Sequence, residues 1–324
     1  MRIPPPICAT LLVCIIGIST VVDAQQGTLQ TKPLDLANLD TTCAACTNFY
    51  QFANGGWIRA TPIPAAYSQW GSFSELGYRN TEALHTLLEQ MAAHPSAQPD
   101  PDVRKVAELY ASCMDTVAIE RQGATPLIGD LRAINAIKTP TQVRRYLISV
   151  HARGFNQLFN FGSVQDAKNS SEVIGAVQQG GLGLPDRDYY LNNDSGTVAL
   201  RNDYVKHVAN DLILAGESPI QADSDAQRVL ALETALANAS FTQVQLRDPV
   251  LTYNRKTAAQ LIALTPHFDW PAYFSAQKVS GIAAINVMQP KFIIAADSLF
   301  DAVSPASWRA YFRWHLVRAT AATL

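Results

Sequence analysis

The sequence lacks the short motifs that mark the common designs of hydrolytic active sites. A zincin-type site needs two histidines one helical turn apart with a glutamate after the first, because that spacing directs both imidazoles at one metal ion. None of the six histidines begins an H-E-x-x-H sequence, and the G-x-S-x-G turn of serine hydrolases is also absent. The 324 residues therefore contain neither of these two catalytic motifs.

An excess of basic residues is also missing. Lys and Arg number 25 against 27 Asp and Glu, which gives a net charge of −2 and a pI near 6.3. Proteins that bind nucleic acid neutralise its phosphates with a basic surface, so this balance excludes nucleic acid as a partner. Charged residues make up 16% and hydrophobic ones 48%, so the chain can bury a large core.

The sequence has no apolar run as long as the roughly 20 residues that a transmembrane helix needs. Its longest run, Ile7 to Val22, has about 16 residues, follows Arg2 and ends near the small residue Ala24. This pattern predicts a signal peptide over residues 1–24, cleaved after Ala24, and a secreted or periplasmic protein. Membrane anchoring would follow only if this signal stayed uncleaved.

Cysteine is scarce for an exported chain. Cys8 and Cys14 lie in the signal, so Cys43, Cys46 and Cys113 remain, and their odd number leaves one thiol without a partner in this chain. Cys43 and Cys46 form a single C-x-x-C without a second copy or a βαβ pattern, which favours structural or incidental thiols over a redox or zinc site. The sequence does not define how the three are paired.

What the chain does contain is helical periodicity. Apolar residues recur at helical spacing from Asn80 onward and again over residues 103–114, where the stripe places Cys113 on a buried face. Residues 25–42 are polar and lack such a pattern, which predicts a flexible leader. We therefore predict a mainly α-helical body over residues 43–324.

Capping signals mark where several helices begin. A hydroxyl with a nearby glutamine or proline occurs at Thr139–Gln142, at Ser224–Gln227 and at Ser304–Pro305. The last of these signals begins a helix whose aromatic face carries Trp308 and Phe312. We expect this face to be uncovered in the chain as it stands, because no further apolar segment follows it.

One region alternates in the manner of strands. From Leu158 to Gly181, apolar and polar residues alternate on both sides of a turn over residues 166–171, which predicts a β-hairpin inserted in the helical body. A second short strand is predicted at Ile285–Met288. Three N-x-S sequons begin at positions that we place on exposed turns or helix ends, namely Asn169, Asn193 and Asn238.

The polar residues that could carry chemistry do not form a recognisable site. His85 and Glu89 lie four residues apart on one helix face, but two ligands without a third favour a solvated pair over a zinc site. His315 lies on the aromatic face of the last helix, which favours a hydrogen-bonded interior histidine. We therefore name no catalytic, cofactor-binding or metal-binding residue. The acidic residues that no pattern pairs for acid–base chemistry are Asp186, Asp188 and Asp194.

The segment Gly180–Pro185 is glycine-rich but does not match a phosphate-binding loop. It lacks the lysine of a P-loop and the third glycine of a dinucleotide-binding turn. Pro185 also removes a backbone donor at the point where a phosphate-binding helix would begin. We therefore interpret this segment as a tight structural loop.

Several segments together resemble one enzyme family. Residues Cys46–Trp57 read CTNFYQFANGGW, and Gly180–Leu191 read GGLGLPDRDYYL. Both resemble segments of the neprilysin-like zinc metallopeptidases, peptidase family M13, from the N-terminal domain. Three further blocks also resemble the family, and all five lie in the order that the family shows. The three are Leu109–Asp115, Asn286–Pro290 and Trp308–Leu316.

The resemblance implies a two-lobed peptidase that encloses a cavity, with residues 43–324 as a multi-helix, non-catalytic lobe that limits access. The family's zinc ligands and general base belong to a carboxyl-terminal half, so the chain is expected to stop before them and to be inactive alone. We expect Zn²⁺ in the full-length enzyme, no zinc ligand in this chain, oligopeptides as substrates and the catalytic domain as partner. The alternative is a stand-alone exported helical module that binds peptides or a protein without catalysis.

The chain departs from the family pattern at several positions. Asn54 stands where animal members carry a cysteine, and Cys46 and Cys113 match cysteines whose partners lie downstream in the family. Gln69 and Ser74 stand where some members place an arginine and an aspartate near the substrate, so we carry over no substrate contact. The aromatic residues of the first motif are interpreted as core, namely Phe49, Tyr50, Phe52 and Trp57.

Overall fold

The structure is a computed structural model that describes residues 34–67, 69–279 and 281–323. It divides into two compact units, Met1–Gln90 and Met91–Leu324, a boundary that the sequence analysis does not anticipate. The predicted signal peptide and its cleavage site lie outside the described residues. Within those residues, no helix combines the length and the apolar character needed to cross a membrane.

The first unit contains α1, Phe49–Ala60, which lies against a short 3-10 helix at Leu36–Asn38. The glycines of the NGGW sequence make this close contact possible. A Cβ atom on Gly56 would lie 2.8 Å from the carbonyl carbon of Asn38, so a larger side chain would force the two helices apart. The second helix of the chain, α2, spans Ser72–Ala92.

Asp40 fixes the end of the predicted leader to α1. Its side chain is buried, and its Oδ2 atom accepts hydrogen bonds from Gln51 Nε2 at 2.8 Å and from Arg59 Nη1 at 2.6 Å. Hydrogen bonds from Thr42, Arg59 and Gln51 hold the pKa of Asp40 well below its usual range. Within the segment predicted as a leader, the side chain of Asp40 thus bonds to the neighbouring helix.

The second unit is mainly helical, as predicted. Thr139 and Gln142 form the predicted capping box at the start of α6. The predicted helix start at Ser224 is wrong, because α9 already begins after Ser218, whose hydroxyl accepts from the Gln221 N–H at 3.4 Å. The helices of this unit are α3 Pro101–Cys113, α4 Thr116–Gln122, α5 Ile128–Asn135, α6 Pro140–Ala152, α7 Asp188–Leu191, α8 Ser195–Leu214, α9 Pro219–Ala239, α10 Gln243–Leu246, α11 Ala258–Leu264, α12 Trp270–Ala276, α13 Pro290–Ala302 and α14 Pro305–Thr320.

A small sheet is inserted among these helices, which confirms the predicted hairpin and the predicted second strand. Its strands are β1 Phe159–Asp166, β2 Asn169–Gln179, β3 Arg255–Lys256 and β4 Ile285–Val287. The spatial order is β1-β2-β4-β3, with β1 and β3 antiparallel to their neighbours and β2 parallel to β4. The sequence analysis missed β3, because two residues are too few to show alternation.

The last helix, α14, is enclosed by other helices of its unit. Ser304 caps it, and it packs against α5, α6, α8 and α9. Trp308 and Phe312 have no exposed surface. The expectation that this aromatic face is uncovered is therefore wrong. Helices that precede α14 in the sequence cover it, and this long-range packing is invisible to local periodicity.

Other positions predicted to be buried are exposed. Cys113 lies in the last turn of α3 and is exposed, because that helix buries only its Ala107 face. The aromatic residues of the CTNFYQFANGGW segment are not core either: Phe49 is 70% exposed, Tyr50 is 68% exposed, and the other two are only partly buried. The described cysteines are all free thiols, namely Cys43, Cys46 and Cys113.

Candidate functional site

The polar residues singled out in the sequence do not converge on a metal site. On the exposed surface of α2, His85 Nε2 lies 3.4 Å from Glu89 Oε1, which is the solvated pair that their spacing predicts. Within the described residues, no group of three His, Cys, Asp or Glu side chains is placed to hold a metal ion. Zinc therefore does not fit the part of the chain that the structure describes.

The carboxylates near the glycine-rich loop bond to local backbone. Asp186 Oδ1 accepts the N–H of Asp188 at 2.8 Å, and the Asp188 carboxylate lies 4.0 Å from Arg187 Nε. Asp194 caps α8 by accepting the N–H of Thr197 at 2.9 Å, and hydrogen bonds from the Thr197 hydroxyl and N–H lower the pKa of Asp194. These carboxylates shape turns and helix ends and are not arranged as an acid–base pair.

The glycine loop, residues 180–185, is the tight structural loop that the sequence predicts. Gly181 has a φ of +74°, and its carbonyl oxygen accepts the Tyr311 O–H at 2.9 Å. Gly183 lies against a second tyrosine, since a Cβ atom there would lie 2.7 Å from Tyr204 Cζ. Glycine is thus needed at Gly181 for its positive φ, and at both Gly181 and Gly183 because neighbouring atoms leave no room for a Cβ atom.

Beside this loop, Glu233 of α9 connects three other helices. Its Oε2 atom accepts hydrogen bonds from Tyr190 of α7 at 2.8 Å and from Tyr204 of α8 at 2.7 Å. Its Oε1 atom lies 2.9 Å from Nε2 of His315 on α14. Burial, followed by the negative charge of Glu233, raises the pKa of both tyrosines, so their hydroxyls stay protonated and donate.

The sequence analysis found one end of this network and missed the other. The interior, hydrogen-bonded position predicted for His315 is confirmed. Glu233 was not singled out, although it has no exposed surface and stands between the buried residues Leu232 and Leu236 of α9. A carboxylate on an otherwise apolar helix face was the signal that could have identified it, since buried charges need partners.

A second histidine, His151 of α6, is also buried. Its Nδ1 atom lies 2.9 Å from the Tyr273 hydroxyl, and its Nε2 atom accepts the Gln157 N–H at 3.0 Å. Burial lowers the pKa of His151 from 6.5 to about 4, so the ring is neutral near pH 7. The Glu233 network thus joins α9 to three other helices, and His151 joins α6 to α12 and to the residue Gln157 that precedes β1.

The helical body with its small sheet is an architecture found in zinc metalloproteases of known structure. The chain is similar to zinc metalloprotease Zmp1 of Mycobacterium tuberculosis in complex with an inhibitor, with a TM-score of 0.80 and 30% identity over 90% of this chain and 44% of that chain. It shares its fold with PepO from Lactobacillus rhamnosis, with a TM-score of 0.67 and 18% identity over 83% of this chain and 42% of that chain.

The sequence comparison identifies the family and confirms the resemblance. The profile described as Peptidase family M13 matches residues 45–324, and the chain belongs to this family. It is 29% identical to endothelin-converting enzyme 1 of Rattus norvegicus over 99% of this chain and 41% of that protein. The enzyme of Homo sapiens is 31% identical over 89% of this chain and 38% of that protein. The chain thus spans about two fifths of the length of these relatives.

Proposed function

We propose that the chain is the N-terminal, substrate-access portion of a zinc metalloendopeptidase that hydrolyses oligopeptides. The observation that carries this proposal is the family match over residues 45–324 together with a shared fold over 44% of a zinc metalloprotease. In this proposal, residues 43–324 form the helical domain of the enzyme. Their role is to build the wall that selects which peptides reach the catalytic centre.

The catalytic residues in this proposal lie in the part of the relatives that this chain does not span. Two observations support that division: the sequence has no H-E-x-x-H motif, and zinc does not fit the described side chains. When bound in the complete enzyme, zinc supplies an activated water molecule for peptide hydrolysis. The helices described above would position the peptide and restrict the size of what enters.

The partner that we propose for this portion is the catalytic domain of the same enzyme. Exposed apolar side chains on α1 and α2 support a protein partner, because apolar groups left in water are typical of interaction surfaces. Phe49 and Tyr50 of α1 are mostly exposed, and so are Phe73, Leu76 and Leu84 of α2. Burying these side chains against a second domain would remove them from water at about 25 cal/mol per Å² of apolar area.

We also propose that the protein is secreted or periplasmic. The support is the sequence of residues 1–24, which has the charge, apolar run and small-residue pattern of a signal peptide cleaved after Ala24. Anchoring in a membrane would require that this signal stay attached. Protein sequencing of the mature amino terminus tests this point, and a chain that begins at Gln25 is the expected result.

The second candidate function is a stand-alone exported helical module that binds peptides or a protein without catalysis. One observation favours it: the aromatic face of α14 is buried by helices of this chain, so the last helix does not require a further domain to cover it. This candidate predicts saturable peptide binding by the purified chain, without hydrolysis, and no open reading frame for a metal-binding half.

Two measurements separate these functions. The first reads the DNA beyond codon 324, where an open frame that encodes H-E-x-x-H supports the peptidase and a stop codon supports the binding module. The second compares peptide hydrolysis by residues 25–324 with hydrolysis by the chain extended through such a frame, each with and without a chelator. Chelator-sensitive activity confined to the extended chain is expected, and activity in residues 25–324 would refute the division of roles.

A further inference from the structure

A cavity of about 780 Å³ opens in the second unit at the start of α14. Its walls come from the end of α5 with the residues that follow, from α9, and from the first turns of α14. It is separate from the Glu233 network, and the sequence analysis singles out none of its charged residues. The polar side chains that line it include Asn135, Lys138, Asp225, Arg228, Arg309 and Arg313.

The cavity is basic although the whole chain has a net charge of −2. Asp225 is the carboxylate in its wall, and it is buried between two of the four cations. Its Oδ1 atom bonds to Arg228 and its Oδ2 atom lies 3.2 Å from Arg313 Nη1. Arg313 also pairs with Glu217, so these two carboxylates neutralise Arg228 and Arg313.

The other two cations are not neutralised. Arg309 Nη1 donates to the carbonyl oxygen of Ile137 at 2.8 Å, which fixes the guanidinium without removing its charge. The Lys138 ammonium makes no hydrogen bond or ion pair with the residues that the structure describes. Lys138 and Arg309 thus place two positive charges along one concave wall, and positive charge along a concave surface raises the local concentration of anions.

The amino terminus of α14 adds to this positive potential. Ser304, Pro305 and Ala306 line the same cavity. The Ser304 hydroxyl accepts the Ser307 N–H at 3.2 Å, while the Ala306 N–H has no acceptor among the described residues. The amino end of a 16-residue helix carries a partial positive charge that favours a bound anion.

We propose that this cavity binds a small multivalent oxyanion between Lys138, Arg309 and the start of α14. The chemistry that recognises it is shared by phosphate and carboxylate groups, because a guanidinium fork and an ammonium group donate to either. The volume exceeds that of a single water molecule, about 30 Å³, many times over, so the cavity admits a molecule with several anionic groups. The argument for this site uses no residue to which the proposed function assigns a role, so the proposal stands apart from the proposed catalytic role.

Titration calorimetry on the full chain, purified after export, tests the proposal with inorganic phosphate, pyrophosphate and citrate as probes. Saturable binding at one site, weakened by added NaCl, is expected for pyrophosphate or citrate. Lys138→Gln should weaken that binding about tenfold, the effect of removing one charge-assisted hydrogen bond. Lys291→Gln removes the same charge from the exposed surface of α13 outside the cavity and should leave the dissociation constant unchanged.

The outcomes are distinct. Tighter binding of pyrophosphate than citrate assigns a phosphate-bearing ligand, and the reverse assigns a polycarboxylate; both support the site. Absence of saturable binding of all three anions up to about 10 mM overturns the proposal. So does an equal loss from Lys291→Gln and Lys138→Gln. Arg309→Gln should weaken binding as well. Because the Arg309 side chain also donates to the Ile137 carbonyl oxygen, circular dichroism checks that this variant is folded. The result for Lys138→Gln decides the test.

Discussion

The two helices α2 and α14 both carry large apolar side chains but have opposite surroundings. All of α2 lies within the described residues, and none of its 21 residues is buried, with Phe73 92% exposed. In α14, by contrast, eight of 16 residues are buried, Phe312 among them. Sequence periodicity therefore identifies the face of a helix that can be covered. It does not reveal whether the same chain supplies the cover.

This difference also separates what stabilises the chain from what the chain offers to a partner. The second unit has a continuous core in which α14, the sheet and α13 share large apolar side chains. The face of α2 has no such cover among the described residues. Substitutions in the core of the second unit should therefore change folding, and matched substitutions on the face of α2 should change association with the proposed catalytic domain.

The largest effect is expected from Glu233→Ala. The substitution leaves two tyrosine hydroxyls and His315 buried without their acceptor, which costs about 3–5 kcal/mol in the free energy of unfolding. Glu233→Gln keeps an acceptor and should cost clearly less. Urea unfolding followed by circular dichroism measures both. A loss for Glu233→Ala no larger than that for Glu233→Gln would show that the network does not stabilise α14.

A matched pair of substitutions tests the comparison itself. Phe312→Ala removes a fully buried ring from α14 and should cost about 3–5 kcal/mol of unfolding free energy. Phe73→Ala removes the same ring from the exposed face of α2 and should change that free energy by less than about 0.5 kcal/mol. Urea denaturation of the two variants provides the measurement, and equal losses would contradict the contrast between the helices.

Acid should destabilise the second unit through His151. Its folded-state pKa is about 4, below the value of 6.5 for an exposed histidine, so the unfolded chain takes up a proton that the folded chain resists. Stability from this group is complete above pH 6.5 and is lost as the pH falls from 6.5 towards 4, by about 3 kcal/mol in total.

The control for this prediction is His151→Gln, which cannot titrate. Its unfolding free energy, measured by urea titration at several pH values, should fall less steeply between pH 6.5 and 4 than that of the unchanged chain. Identical slopes for the two chains would mean that His151 takes up its proton equally well in the folded and unfolded states.

The smallest difference is expected between two glycine substitutions, one in the glycine loop and one outside it. Gly181→Ala combines a φ of +74° with a Cβ atom 2.7 Å from Leu158 Cα, whereas Gly154, at φ +90°, has no atom within 4 Å of an added Cβ. Both substitutions strain the backbone, but only the first also overpacks, so Gly181→Ala should cost about 1–3 kcal/mol more. Thermal unfolding of the two variants tests this order, which a larger loss at Gly154 would reverse.

The sequence predicted what short-range chemistry determines. The capping box at Thr139, the hairpin and the interior position of His315 each depend on residues close in the chain or on one helix face. What it missed depends on distant residues. Cys113 lies on an apolar stripe that is exposed, and Glu233 has partners on three other helices, which no local pattern specifies.

The family resemblance was the strongest sequence signal because it combined segments far apart in the chain. The glycine loop was part of a matched motif, and the structure supplies the physical reason for its glycines. Tyr311 lies too close to Gly181 for a side chain there, and Tyr204 lies too close to Gly183. The basic cavity carried no such signal, since its cations come from three separate segments that only the fold brings together.

The most direct test of the account is the zinc content of purified residues 25–324 after dialysis against a zinc-containing buffer followed by a metal-free one. The account predicts that no stoichiometric zinc is retained, because the described side chains offer no group of three suitable ligands. One tightly held zinc ion per chain, accompanied by chelator-sensitive peptide hydrolysis, would contradict it.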